Sequence, residues 1–496
     1  MSTIEQTAPE IGFGTSGVRA LVTQLSDRVV YAYSAAFLAY LKLSEQLGAS
    51  GKVILAHDLR PSSPAISAAA IAAIDAAGLQ AEYAGAIATP ALALRAISSG
   101  APGIMVTGSH IPFDRNGIKF YTSKGEILKA DEQGIRVAAF ELPETLFTGA
   151  SLTEVSPLPA VDSATSSAYL RRYLDFFPRD LLASKKIGLY QHSGVARDML
   201  AELFQAFGAE VICLGRSDQF IPIDTEAVSA GDQAQARQWC AAHGLDALVS
   251  TDGDADRPLV FDEAGGVLRG DVVGILTALH LGAAGVATPV SSNSALEMCG
   301  CFEQVRRTRI GSPYVIEAMQ ALAMRAASVV GFEANGGFLV GSEIRRGAHR
   351  LEPLPTRDAI LPILTLFAMA RDKGLKLSQL PGLLPGRYTA SDRLQGVATE
   401  LSQRHIGQLA ADEAVRNAFF HAVGTPAGID LTDGLRVTMD SGDIIHFRPS
   451  GNAPELRCYV ESHTQAKADT LLAWGIASLR QTLRAAHDAA TPRIAA

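Results

Sequence analysis

Two patterns of apolar residues alternate along the chain. Short apolar runs such as "GKVILAHD" (51–58), "AEYAGAIATP" (81–90) and "GIMVTGS" (103–109) have the length and compactness of buried strands. Between them lie "AISAAAIAAIDAAGL" (65–79) and "ALALRAISSG" (91–100), which read as helices. The alternation returns with "KKIGLYQHS" (185–193), "ARDMLAELFQAFGA" (196–209), "EVICLG" (210–215), "ARQWCAAHGL" (236–245) and "DALVSTD" (246–252). It returns again with "DVVGILTALHLGA" (271–283), "VATPVSSN" (286–293), "YVIEAMQALAM" (314–324) and "SVVGFEANGG" (328–337). Strand, helix and strand joined by short glycine-containing links are the mark of α/β units built on largely parallel sheets.

The pattern changes near "KGLKLSQLPGLLPGRYTAS" (373–391). Beyond it, "GLRVTMDSGDIIHFRPSGNAPELRCYVES" (434–462) reads as antiparallel strands and "AKADTLLAWGIASLRQTLRAAH" (466–487) as a closing helix. "TEVSPLPAVDSATSSA" (153–168) reads as a linker, and "FDEAGGVLRGD" (261–271) as a turn ahead of a new helix. The expected architecture is therefore three similar α/β domains and a smaller C-terminal α+β domain, bounded at 1–160, 161–263, 264–378 and 379–496.

Composition narrows the function. The 496 residues are 48% hydrophobic and 19% charged, as in ordinary globular proteins. A net charge of −8 argues against a nucleic-acid or membrane-surface partner, either of which calls for a basic field. Five cysteines, none in a CxxC pair, fit reduced thiols, and "MSTIEQTAPE" lacks the basic and apolar regions of a signal peptide. A cytoplasmic location is expected. The uncharged stretch "VVGILTALHLGAAGVATPV" (272–290) is broken by His280, Gly282, Gly285 and Pro289, so a buried helix running into a buried strand is expected there rather than a membrane span.

Four clusters carry chemistry. In "VTGSHIPFDRNGIKFY" (106–121), Ser109 and His110 stand on a turn between two strands, where α/β enzymes place reactive groups. A polar turn with Ser109 capping a backbone amide is the plainer reading. In "STDGDADRP" (250–258), Asp252, Asp254 and Asp256 repel one another unless a cation lies among them, and hard oxygen ligands suit Mg²⁺ or Ca²⁺. An EF-hand is disfavoured although Glu263 falls at its twelfth position: Arg257 stands where glycine is required, and both flanks read as strands. In "FRPSGNAPELR" (447–457), Arg448, Ser450, Gly451, Asn452 and Arg457 offer guanidinium forks, a hydroxyl and backbone amides to a phosphate. Glu333 and Asn335 in "GFEANGG" (331–337), two apart on an extended segment, face one way and suit neighbouring sugar hydroxyls.

Together these stretches resemble the α-D-phosphohexomutase family over nearly the whole chain. "FGTSGVR" (13–19) resembles its opening motif and "TGSHIP" (107–112) its phosphoserine loop, TASHNP. "DGDADR" (252–257) matches its metal loop, "FEANGG" stands where the family has GExSGH, and "RPSGNAPELR" resembles RPSGTEPKIR. The resemblance implies mixed sheets in the α/β domains and a central cleft. It implies that Ser109 carries a phosphoryl group and ligates Mg²⁺ with Asp252, Asp254 and Asp256, while Arg19, His110, Lys119 and Arg257 surround the transferring group. Glu333 and Asn335 would hold the sugar and the Arg448 loop its phosphate, with Thr308 and Arg309 also binding the substrate. The implied reaction moves a phosphoryl group between C1 and C6 of a hexose phosphate through a hexose 1,6-bisphosphate, which also serves as activator. A monomer or homodimer is expected.

The chain departs from the pattern at Asn335, where serine is usual, and at Gly337, where histidine is usual. Asn452, Ala453 and Glu455 also depart, in the phosphate loop. "TPVSSN" (288–293) and "RTRIGSPYV" (307–315) are closer to the phosphoglucosamine branch, but the sugar loop lacks that branch's GEQSGH. Mannose phosphate is the expected substrate, ahead of glucose phosphate and then glucosamine phosphate. Gly337 is expected to open space in the cleft. A non-catalytic sugar-phosphate sensor would have no need of both Ser109 and all three aspartates, and a phosphatase would need water at the phosphoserine, which a closed cleft excludes.

Overall fold

The computed structural model describes residues 1–14, 17–449 and 455–490, the last eight as backbone. The first sheet runs Val18–Leu21, Arg115–Thr122, Gly103–Val106, Lys52–His57, Gln80–Ala86. Lys52–His57 pairs parallel with both neighbours, and Gly103–Val106 is buried along its length, as its unbroken apolar run requires. Helices Asp27–Leu43, Ser63–Ala76 and Thr89–Ser99 accompany this sheet. Val53, Leu55, Ile104, Val106 and Ile118 meet Phe37 and Phe120 in its core. Arg115–Thr122 lies antiparallel to Gly103–Val106, with Met105 opposite Lys119 and Val106 opposite Ile118. The polar segment 107–114 is therefore a hairpin connection at a sheet end.

The second sheet runs Glu210–Leu214, Lys186–Tyr190, Ala247–Thr251, Pro258–Phe261, Val267–Leu268, the first three parallel and the last two antiparallel additions. Thr251 pairs with Pro258, so residues 252–257 form the loop of a second hairpin. The turn expected over 261–271 holds the short strand Val267–Leu268 as well. The third sheet runs Gln304–Thr308, Gly285–Pro289, Val329–Phe332, Phe338–Val340, Leu354–Asp358, and its last two strands are antiparallel to their neighbours. The sheets are thus mixed, each parallel core carrying antiparallel strands at one side.

The linker expected over 153–168 is shorter than that, since a helix begins at Ala164 and runs to Phe176. Its Tyr169 and Tyr173 hydroxyls donate to the buried Asp358 carboxylate, which also accepts the Ile360 amide at the start of the next helix. A tertiary contact overrides the Ser-rich composition there. Over 272–290 the helix Gly270–Leu281 is followed by the wholly buried strand Gly285–Pro289, and no helix among the described residues is long and apolar enough to cross a membrane.

The chain divides into two compact units. One comprises Met1–Ala287, Phe302–Arg306 and Gly311–Pro381; the other comprises Thr288–Cys301, Arg307–Ile310 and Gly382–Ala496. The second unit has an antiparallel sheet ordered Tyr388–Gln395, Glu455–Ser462, Ile444–Pro449, Leu435–Met439, Pro426–Asp430. Phe420 and Phe447 stack in its core, and the helix Gln465–Ala490 packs Leu471 and Leu479 into the same cluster.

Candidate active site

Ser109 sits at the tip of the first hairpin, fully buried, with φ of +55°. A left-handed serine is uncommon and persists only where its surroundings enforce it. Arg60 does the enforcing. Its guanidinium donates to the carbonyl oxygens of Ser109 (3.0 Å), Ile111 (2.6 Å), Pro112 (2.8 Å) and Arg115 (2.9 Å), and Nε donates to Asp58 (3.2 Å). All five N–H groups are spent. Asp58 in turn accepts from Thr107 Oγ1, Ser63 Oγ and the Gly108 amide. The Ser109 amide donates to Thr107 Oγ1, and no backbone amide among the described residues donates to Ser109 Oγ, so the serine does not act as a turn cap. Its hydroxyl donates to Asp252 Oδ2 at 2.6 Å, joining the tips of the two hairpins. Arg60 and Asp58 escaped the sequence reading, where "HDLRP" looks like the end of a strand; the sole signal was two opposite charges beside an apolar run.

Asp252, Asp254 and Asp256 each offer an oxygen within 4.8 Å of the others, and all three are buried. Lys119 projects from the antiparallel strand and donates to Asp254 Oδ2 and Asp256 Oδ2, both at 2.7 Å. Thr89, first residue of its helix, donates to Asp254 Oδ2 at 2.6 Å. Asp254 Oδ1 and Asp256 Oδ1 are buried with no hydrogen-bond partner. Orphaned carboxylate oxygens grouped in this way fit a hard divalent cation. Burial and its two acidic neighbours push Asp252 well above the usual carboxylate range. Against the same burial, Lys119 holds Asp254 low, and Arg357, Lys119 and Arg257 hold Asp256 low. Despite its burial, Lys119 is pushed up by Asp254 and Asp256 and stays an ammonium.

His110 follows the serine. Its Nδ1 lies 3.3 Å from Ser109 Oγ and accepts from Arg257 Nη1 at 3.0 Å, because a guanidinium can only donate. Nδ1 is thereby unprotonated. Arg19 is half-buried near Arg257, Arg357, Asp254 and Asp256, with no hydrogen-bond partner among the described residues. Burial and the two neighbouring guanidiniums bring it down to about 10. A guanidinium held without a partner beside other cations is a seat for an anion.

The sugar loop differs from expectation. Glu333 and Asn335 lie on a turn rather than an extended segment, for the Gly336 amide donates to Glu333 O and the Glu333 amide to Gly337 O. Asn335 Oδ1 accepts the Gly337 amide, which leaves its amino group without a partner among the described residues. Gly337 opens no space. A Cβ there would lie 2.6 Å from Arg357 Cδ and 2.7 Å from Cγ, so the arginine stem fills the room expected to be empty. Arg357 bridges the loops, donating to Asp256 Oδ2 through Nε (3.1 Å) and Nη2 (2.9 Å) and to Glu333 Oε2 through Nη1 (2.8 Å). Sequence reasoning missed it because "PTRDA" carries no pattern of its own.

The remaining expected residues belong to the second unit. Arg448 and Arg457 are register partners on adjacent antiparallel strands. Arg448 Nε donates to Asp433 (2.8 Å), which also accepts the Ile310 amide (2.9 Å). Arg309 Nε donates to Thr432 O (3.2 Å), and Thr308 Oγ1 to Arg309 O (2.7 Å). Arg457 Nη2 lies 3.8 Å from Glu455. Arg309 and Arg448 thus both meet the turn at Thr432 and Asp433, and Thr308 precedes Arg309 at the end of its strand. Ser450, Gly451 and Asn452 lie outside the described residues.

Known proteins share this organisation. Models of phosphoglucomutase/phosphomannomutase α/β/α domains I, II and III match residues 10–145, 169–266 and 269–388, and that of the C-terminal domain matches 398–473. A phosphomannomutase of Salmonella muenchen is 44% identical over 95% of this chain and 96% of its own. One of Sinorhizobium fredii is also 44% identical, over 95% of this chain and 99% of its own. The fold matches the crystal structure of a phosphoglucomutase/phosphomannomutase family protein of Burkholderia thailandensis with TM-score 0.72 and 20% identity, over 95% and 97% of the two chains. With the serine hairpin, the aspartate hairpin and four matching domains in the same order, the chain belongs to the phosphoglucomutase/phosphomannomutase family.

Proposed function

We propose that the chain interconverts mannose 6-phosphate and mannose 1-phosphate, with Ser109 as the phosphoryl carrier. The observation that carries this reading is the Ser109 hydroxyl held 2.6 Å from Asp252 within a buried acidic cluster ringed by cations. The two phosphomannomutases at 44% identity over nearly their whole length favour mannose over the other hexoses.

The reaction is a pair of phosphoryl transfers, governed by positioning and charge compensation. In the first, a hydroxyl oxygen of the hexose phosphate bonds to phosphorus as the bond to Ser109 Oγ breaks, giving a hexose 1,6-bisphosphate. After the sugar turns over, Ser109 Oγ takes back the other phosphoryl group. Arg19, with no hydrogen-bond partner among the described residues, would grip the transferring group, and Arg257 would add a second guanidinium. Lys119 serves as a buried cation, so the hydroxyl proton passes to His110 or to a phosphoryl oxygen. Asp252, Asp254 and Asp256, with Ser109, are the residues that would hold Mg²⁺, which would offset the charge of the phosphoryl group. Arg19, Lys119, Arg257 and Arg357 balance the three aspartates and Glu333, and a dication arriving with a dianionic phosphoryl group preserves that balance. Glu333 and the Asn335 amino group would hold the sugar hydroxyls, and the loop of Arg448, Ser450, Gly451, Asn452 and Arg457, with Thr308 and Arg309, would hold the phosphate that is not transferring.

The test offers mannose, glucose and glucosamine 1-phosphates singly, with Mg²⁺ and a trace of the matching 1,6-bisphosphate. Mannose 1-phosphate should yield its 6-phosphate with the highest kcat/KM. Peptide mapping should find phosphate on Ser109, and Ser109→Ala should lose at least about a thousandfold in turnover. Full activity in Ser109→Ala, or release of inorganic phosphate as the main product, sinks the reading.

A further inference from the structure

The sugar loop of this chain carries Gly337 where the family motif it resembles has histidine, yet the loop is not looser for it. Arg357 enters from the strand Leu354–Asp358, is 3% exposed, and runs its stem through the space a side chain at position 337 would need. Arg357 Cδ and Cγ lie 2.6 and 2.7 Å from the position a Gly337 Cβ would take, closer than real Cβ contacts come, and its Cβ lies at 3.0 Å. A side chain at 337 would collide with the Arg357 stem as it stands, so the arginine would have to leave its present path.

What Arg357 does in that space is specific. It ties Glu333 Oε2 to Asp256 Oδ2 through one rigid planar fork. Glu333 Oε1 makes no hydrogen bond among the described residues, so the fork fixes one carboxylate oxygen and leaves the other to a ligand. Asp256 is likewise fixed through Oδ2, leaving Oδ1, 3.4 Å from Arg257 Nε, without a hydrogen bond in the acidic cluster. Asn335, braced by the Gly337 amide, keeps its amino group beside them on the same turn. Held thus, a carboxylate acceptor and an amide donor are set for a pair of neighbouring hydroxyls without the entropy cost of ordering them on binding.

Resting on the mutase reading above, we propose that Arg357 is the positioning residue that aims Glu333 at the sugar, and that Gly337 and Arg357 act as a coupled pair that sets sugar discrimination. A lysine at 357 keeps the charge but cannot reach both carboxylates through one planar group.

The experiment compares wild type, Arg357→Lys, Gly337→His, Arg357→Ala and the double variant G337H/R357A. It reads KM, kcat, the ratio of kcat/KM between mannose and glucose 1-phosphates, and the thermal midpoint. Arg357→Lys should stay folded, raise KM for mannose 1-phosphate about tenfold or more and shift the sugar ratio, with a smaller change in kcat. In a Ser109→Ala background the same change should weaken mannose 1-phosphate binding by calorimetry. Gly337→His alone should be severely impaired, and adding Arg357→Ala should recover at least about tenfold of that loss. A folded Arg357→Lys with unchanged KM and sugar ratio overturns the proposal. So does a double variant no better than the product of the singles, and so does an Arg357→Lys that fails to fold, which would make the arginine a scaffold only. A wild type inactive on every hexose phosphate overturns the mutase reading instead, and is scored before any variant.

Discussion

At the scale of single residues, the site is a packing of opposite charges with nothing to spare. Lys119 supplies the only ammonium touching both Asp254 and Asp256 among the described residues. Removing one partner of a buried ion pair costs about 3–5 kcal/mol, because the remaining charge is left uncompensated. Lys119→Met should therefore lower the thermal midpoint of the metal-free protein. A divalent cation can replace the lost charge, so added Mg²⁺ should raise the midpoint more in Lys119→Met than in wild type. A thermal scan with and without EDTA measures both; equal Mg²⁺ shifts in the two proteins would show that the aspartates are not the cation's ligands. Removing a carboxylate works the other way. Asp254→Asn should weaken metal binding and turnover together, with partial recovery at high Mg²⁺.

At the scale of elements, the serine hairpin depends on a residue outside it. Its carbonyls turn inward onto Arg60, and Phe220 covers the guanidinium 3.9 Å from its ring centre. Lysine at 60 keeps the charge but offers three donors where five are used. Each buried carbonyl left unsatisfied costs about 1–3 kcal/mol, so Arg60→Lys should destabilise by several kcal/mol or free the loop. Chemical denaturation with limited proteolysis near 109–115 distinguishes the two, and wild-type behaviour in both would show that the hairpin holds itself. Gly108 is confined for the same reason, since a Cβ there would lie 2.6 Å from Arg60 Cζ. Gly108→Ala should lower phosphate incorporation at Ser109, read by intact mass.

At the scale of the whole molecule, each compact unit buries a neutral histidine. His192 in one and His446 in the other are 1% exposed, and burial brings each down to about 4. The unfolded chain protonates these rings near 6.5 while the folded chain does not. Their contribution to stability is thus fully present above pH 6.5 and declines as pH falls toward 4. By pH 5 the loss is on the order of 2 kcal/mol for each. Thermal unfolding from pH 7 to pH 5 should show the decline, and His446→Gln should flatten it; a slope unchanged in that variant would assign the decline to other groups.

The sequence alone determined the alternation of strands and helices, the antiparallel C-terminal sheet and the two hairpin loops that carry Ser109 and the three aspartates. These follow from local causes: an unbroken apolar run makes Gly103–Val106 a buried strand, and carboxylates two residues apart at 252, 254 and 256 repel one another unless positive charge lies among them. Tertiary structure alone decided what surrounds those loops. Ser109 meets Asp252 across 143 positions, and Arg357 meets Asp256 across 101. Neither Arg60 nor Arg357 stands out in its own stretch of sequence, because a buried arginine is specified by acceptors that other elements deliver to it. Gly337 shows the difference most plainly. As a letter it signals an absent side chain and open space, whereas in the fold that space is filled by an arginine twenty residues further along. Local pattern sets where the chain turns; the close packing of distant segments sets which side chain occupies the volume a small residue leaves.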